Sequence, residues 1–295
     1  MDSIIKNYKR QFGTMLGLLG LITIFWILTP YFMTFSNFLN IALQTSINAI
    51  IAIGMTFVII SGGIDLSVGS IVALAGVTTA GSLQAGLPIP VALLTGIGMG
   101  FLCGAVNGFL IGWGNLPPFI STLGMMSIAR GSALLFTNGR PISGFSKSFR
   151  FFAEGRILIF PMPVFVMIVL YIFMHFVLNR TKLGRYTYAI GGNEEAAVLS
   201  GIHVKLYKVF IYGLCGMLSG VAAILLTARL NSAQPIAGIM YELDAIAAAV
   251  IGGTSLMGGE GMLVGTLIGA VNMGVLQNGL NIRGVSSFIH QTIIG

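Results

Sequence analysis

The chain has 295 residues, 56% of them hydrophobic and 8% charged, and its fifteen Lys and Arg against eight Asp and Glu give a formal charge of +7. Soluble domains carry about 25% charged residues. A mean hydropathy of +0.95 therefore excludes a soluble α/β enzyme and predicts an all-α polytopic membrane protein.

The basic residues gather in loops between apolar runs, so they report membrane sidedness and not nucleic-acid binding. Cys103 and Cys215 lie in apolar runs and read as small hydrophobes. His175, His203 and His290 share no ligand spacing, so no metal site is expected. No lysine follows a glycine, so the chain lacks the G-x4-G-K-[ST] phosphate cradle. If ATP powers this protein, another polypeptide hydrolyses it, and no cofactor is expected here.

The basic lead-in Met1–Gln11 is expected to stay cytoplasmic. Phe12–Thr29 follows as an uncleaved first span, since Pro30-Tyr31 and not a small-residue cleavage site comes after it. The second span, Asn37–Ile60, carries Gln44, Thr45, Ser46 and Asn48 in its first half. In Ser61–Ser70, SGGIDLSVGS, two glycines break the helix and Asp65 can cap the next one, expected to begin near Leu66. An acid beside a span must cap, pair or be wet, so Asp65 is also a candidate for a transport pathway.

The third span runs to about Gln84, and Pro88-Ile89-Pro90 opens the fourth. That helix carries Gly96, Gly100, Gly104, Gly108 and Gly112 at every fourth position, a groove for close approach of another backbone. Pro117-Pro118 start the fifth span, which holds Arg130. A guanidinium there either snorkels to the surface or lines a wet path. Asn138–Phe160 is polar, with Arg140, Lys147, Arg150 and Arg156 against Glu154. Counting from an inside N-terminus puts it outside, where so much positive charge is unexpected.

Pro161–Asn179, the sixth span, returns the chain to the inside. It meets the longest polar interruption, 180–208, with Arg180, Lys182, Arg185, Lys205 and Lys208. Within it Asn193–Leu199 reads as a short helix: Asn193 caps, Glu194 and Glu195 suit the positive end, and Gly201 stops it. Val209–Thr227 is the seventh span, Arg229–Asp244 an outer segment, and Ala245–Ile251 runs into GGTSLMGG. Met262–Asn278 makes a further span. Ser286–Gly295 opens one more that is too short to cross, so the natural chain is expected to continue and to make about ten crossings.

Glu195-Ala196-Ala197-x-x-x-Gly201 resembles the EAA-x3-G loop of permease subunits in ATP-driven (ABC) importers. The stretches GGIDLSVGSIVALA (62–75), TLGMMSIARG (122–131) and GGNEEAAVLSGI (191–202) resemble the ribose-type monosaccharide permeases of bacteria. The resemblance implies a type II importer-like fold of one transmembrane permease domain spanning 1–295, in the inner membrane. Asn193, Glu194, Glu195, Ala196, Ala197, Ser200 and Gly201 would couple to a separate ATPase that binds ATP and Mg²⁺. It further implies a second permease subunit, usually a copy, and a periplasmic sugar-binding protein whose acidic lobes would meet Arg140, Lys147, Arg150 and Arg156.

Two echoes suggest internally repeated halves, 37–137 and 208–295. GG-x-x-L-x-x-G occurs at Gly62 and again at Gly252, and Gly104-Ala-Val-Asn107 recurs as Gly269-Ala-Val-Asn272. Transport paths lie at such repeat interfaces, so Gln44, Asn48, Asp65, Asn107, Arg130 and Asn272 are the candidate pathway residues. They do not identify a sugar. Sister permeases for nucleosides or branched-chain amino acids stay open. So does an ion-coupled secondary transporter, for which Asp65 is the one acid expected in the membrane; a structural membrane protein would leave the EAA-type loop without a purpose.

Overall fold

The computed structural model describes residues 2–285, 289, 292 and 293, with residues 2–11 as backbone only. The further span expected from Ser286, with His290, otherwise lies outside the described residues.

Twelve helices are described. The amino-terminal helix α1 (Asp2–Leu28) is followed by α2 (Phe35–Ile60), α3 (Val68–Gln84), α4 (Ile89–Gly112) and α5 (Pro118–Thr137). A short amphipathic helix, α6 (Lys147–Glu154), precedes α7 (Met162–Arg180). The polar interruption folds as α8 (Lys182–Gly192) and α9 (Glu194–Leu199). Then come α10 (Val204–Leu230), α11 (Tyr241–Ile251) and α12 (Leu263–Ile282). Among the described residues α2, α4, α5, α7, α10 and α12 are long and apolar enough to cross a bilayer. The apolar parts of α1 (Phe12–Leu28) and α3 are shorter, and α11 has eleven residues, with Glu242 and Asp244 in its first turn.

Burial sorts these helices. The best window of α2 is 83% buried and that of α10 is 78%, against 28% for α4 and α5 and 33% for α7. An apolar helix buried all round belongs at the centre, so α2 is the axis around which α7, α10, α11 and α12 pack. The exposed Phe101, Phe109, Ile172, Phe173 and Phe176 on α4 and α7 face outward, as lipid-facing helices require.

The glycine groove of α4 packs on α10 as expected. A methyl on Gly104 would meet the carbonyl of Tyr212 and the Cα of Gly213 at 3.1 Å, and one on Gly108 would sit 2.5 Å from the Cα of Val209. Gly216 and Gly220 return the contact against Gly100 and Gly96. Gly104→Ala gains about 1 kcal/mol of helix propensity but overpacks at a cost of about 1–3 kcal/mol, so its melting temperature should fall. Gly98→Ala, with nothing within 4 Å, should instead hold or raise it. Equal melting temperatures would dismiss the groove as a tight contact.

Two pairs of two-residue strands finish the surface. β1 (Ile142–Ser143) pairs antiparallel with the later β4 (Ser232–Ala233), and β2 (Arg156–Ile157) with β3 (Phe160–Pro161). The first pair ties the segment after α5 to the segment after α10.

Two expectations need correction. α3 begins at Val68 with Ser67 at its cap position, and Asp65 accepts from the amide (2.9 Å) and hydroxyl (2.5 Å) of Ser67 without capping the helix itself. Residues 235–240 are also not simply an outer segment. The Gly238 carbonyl packs on Gly69 in the first turn of α3, and Arg130, well inside α5, donates to the carbonyls of Pro235 (2.8 Å) and Ala237 (2.7 Å). The segment plunges between helices, and α11 starts from its deep end.

The letter echoes do not carry over position by position. The left-handed glycine is Gly62, first of its pair, in one turn and Gly253, second of its pair, in the other. Asn107 donates to Ser67 at the start of α3, whereas Asn272 donates to Ile268 of its own helix and to the Thr14 carbonyl of α1.

Candidate coupling and pathway sites

The short helix α9 is built as its sequence demands. Asn193 Oδ1 accepts from the Ala196 amide at 2.9 Å. At the other end Gly201 adopts φ +81°, and the amides of Gly201 and Ile202 return to the carbonyls of Val198 and Ala197 (2.9 and 3.1 Å), the Schellman arrangement. Ala197 is buried with Ile190 and Val204, which roots one face in the protein. The other face is open: Leu199 is 88% and Val198 55% exposed, with Glu195 and Ser200 beside them. Lys208 reaches from α10 to Glu194 at 2.6 Å. An exposed pair of this kind contributes only about 0–1 kcal/mol, so it orients the helix and does little to hold it.

Beneath α9 lies a junction of bare backbone. The Gly259 amide donates to Ile60 O, the last carbonyl of α2, at 2.9 Å. Gly191, at the end of α8, lies so close that a methyl there would strike Ile60 O and come within 2.6 Å of Gly259 N. Gly258 faces Gly191 and Gly62 in the same way. Tyr188 on α8 adds a hydrogen bond to Gly261 O at 2.7 Å, and burial pushes its phenol up to about 12, so it stays a neutral donor at physiological pH. The element bearing α9 is thus clamped to the end of α2 and to the turn between α11 and α12.

The six candidate pathway residues separate into distinct places. Asp65 and Asn107 meet in a buried node: Asn107 Nδ2 donates to Ser67 Oγ at 3.0 Å, and Ser121 Oγ to Asn107 Oδ1 at 3.4 Å. Asp65 is fully buried, and its Oδ2 and the nearby Tyr212 hydroxyl have no hydrogen-bond partner among the described residues. Arg130 neither snorkels nor stands free, because it holds the plunging segment. Asn272 bonds the Ile268 carbonyl of its own helix at 3.0 Å and the Thr14 carbonyl of α1 at 3.4 Å. Gln44 and Asn48 line one small pocket between α2, α11 and α12 with Asp244 and Gln277.

Asp244 and Gln277 escaped the sequence reading. Asp65 is not the one acid inside the helical body, since Asp244 bonds Asn48 midway along α2 and Glu242 lies beside it. The available signal was the seven-residue apolar run 245–251 after two acids, too short to span and preceded by a polar loop, the mark of a discontinuous helix at a binding site. Of the four cations expected on the outer side, Arg140, Lys147 and Arg156 are exposed, while Arg150 pairs with Glu154 at 2.9 Å.

A bundle of spanning helices with an exposed, rooted helix at one end has the form of a transport permease. Residues 37–295 match the family described as branched-chain amino acid transport system / permease component, and the chain belongs to that family. It is similar to the ribose import permease protein RbsC of Bacillus subtilis (strain 168), 49% identical over 288 residues covering 97% of this chain and 89% of that one. It is likewise similar to RbsC of Escherichia coli (strain K12), 48% identical over 293 residues, 98% and 91% covered. The D-allose transport system permease protein AlsC of the same strain is 39% identical over 287 residues, 97% and 88% covered. No solved structure matches the chain.

Proposed function

We propose that this chain is the membrane-spanning permease subunit of an ATP-driven, binding-protein-dependent importer and forms the path for a monosaccharide such as ribose. The observation that carries the reading is the capped, outward-facing helix α9, rooted through Ala197 on α8 and α10 and joined through α8 to the glycine junction with α2 and the α11–α12 turn. An ATPase subunit, holding ATP and Mg²⁺, grips α9. Its closure moves the junction, and the junction shifts α2 against α11 and α12. Glycine-lined helix contacts suit such a change, because close backbone packing has few arrangements and switches between them. A second copy of the chain and a periplasmic sugar-binding protein complete the importer, in the bacterial inner membrane with the N-terminus cytoplasmic. Relatives named as ribose and D-allose permeases support the sugar. Co-purification tests the reading: an ATPase subunit should come along with the chain, and should be lost when α9 is replaced by a glycine-serine linker.

The second reading, an ion-coupled carrier working alone, is favoured by one observation, the acid Asp244 at mid-helix depth. It requires transport without any ATPase.

On the outer side, Arg140, Lys147 and Arg156 receive the acidic lobes of the binding protein. Reversing all three to Glu should lower binding-protein stimulation of ATP hydrolysis by about tenfold or more, and the loss should shrink as salt screens the contact. Stimulation equal to wild type would rule that contact out.

A further inference from the structure

The sugar path of the proposed importer has no assigned binding residues, and the pocket between α2, α11 and α12 supplies a set. Asp244 Oδ2 accepts from Asn48 Nδ2 at 3.0 Å and from Gln277 Nε2 at 3.2 Å. Those two bonds bring side chains from α2 and α12 to one carboxylate on α11. Two further oxygens on α2 face the same pocket with no hydrogen-bond partner among the described residues: Asn48 Oδ1 and Thr45 Oγ1, the latter on a side chain only 4% exposed. A buried polar atom without a partner costs about 1–3 kcal/mol, and such atoms call for a reason.

The geometry points to a binding site for a polyhydroxylated neutral ligand at Thr45, Asn48, Asp244 and Gln277, closed in this conformation. A sugar hydroxyl donates one hydrogen bond and accepts others. The carboxylate and the two unpartnered oxygens take the donated protons, and the Asn48 and Gln277 amides can turn from the carboxylate to the ligand's oxygens. The negative charge turns away anions. The pocket now holds about 10 Å³, room for one water at most, so the ligand enters only when α11 and α12 part from α2. Those are the elements gathered at the glycine junction under α9, which gives the site a means of opening and closing with the ATPase stroke. The inference rests on the importer reading and adds the residues that hold its cargo.

The test uses the complete importer in liposomes, this chain with its ATPase subunit and binding protein, and D-ribose as the probe. Thr45→Val exchanges an unbonded hydroxyl for a methyl. It should leave the melting temperature unchanged or higher and binding-protein-stimulated ATP hydrolysis within about twofold, while ribose delivered per ATP falls about five- to tenfold. Thr45→Ser should restore delivery. Asp244→Asn should lower delivery by at least as much. Delivery per ATP equal to wild type in Thr45→Val would overturn the site. So would loss of ATP hydrolysis in step with uptake, because the pocket would then be transmitting the stroke and not holding sugar. Failure of the wild-type importer to accumulate ribose with ATP is a different result and sinks the importer reading itself.

Discussion

Gly191→Val is expected to cut D-ribose uptake by about 5- to 150-fold, the span of a coupling free energy of about 1–3 kcal/mol, with normal amounts of protein in the membrane. The cause is steric and local. A Cβ at this position meets the carbonyl of Ile60 and the amide of Gly259, both backbone and both engaged in a hydrogen bond that joins α2 to the α11–α12 turn. Neither can swing aside as a side chain would. The added side chain must prise α8 from the junction, so α9 still moves with the ATPase but α2 no longer follows. Gly192→Ala is the matched control: its Cβ meets nothing within 4 Å, and uptake should stay within about twofold. Equal uptake in both variants would remove the junction from the force path. The assay is initial-rate uptake of labelled ribose, with membrane content measured by blot.

Reversing the charge or breaking the stop of α9 should be as severe. Glu195→Lys alters the exposed face that the ATPase is proposed to grip. Gly201→Asp forces a side chain into the left-handed conformation at φ +81°, at a cost of about 1–2 kcal/mol, and adds a charge beside Leu199. A docking hot spot contributes about 2 kcal/mol or more, so either variant should lose about 30-fold or more in uptake. The loss should track weaker recovery of the ATPase subunit in a pull-down, not a lower melting temperature of the permease, because only Ala197 of α9 is packed inside. Normal uptake in Glu195→Lys and Gly201→Asp would defeat the docking assignment.

The parts that were legible in the sequence are those set by local chemistry. Asn193, two acids and Gly201 specify a short capped helix wherever they occur, and α9 forms with that cap and that stop. Prolines at 88, 90, 117 and 118 mark helix starts because they lack the amide that a first turn does not need, and α4 and α5 begin there. The four-residue glycine period of α4 dictates close packing, though not the partner. What stayed hidden depends on contacts distant in sequence. Asp244 lies 196 residues from Asn48, and no local pattern distinguishes an acid at the mouth of a span from one carried inward by a plunging segment. The target of Arg130 was hidden for the same reason, since its acceptors are backbone carbonyls more than 100 residues away. The glycine echoes did not announce the junction either, because Gly62, Gly191 and Gly258 meet only after three separate turns have formed.

Everything above depends on force entering through α9 from another polypeptide. The direct measurement is ribose accumulation in liposomes containing the purified chain alone, under proton and sodium gradients, and then with its ATPase subunit, its binding protein and ATP added. No accumulation under either gradient, and accumulation that appears only with the ATPase and ATP, is the predicted result. Accumulation by the chain alone under an ion gradient would contradict it.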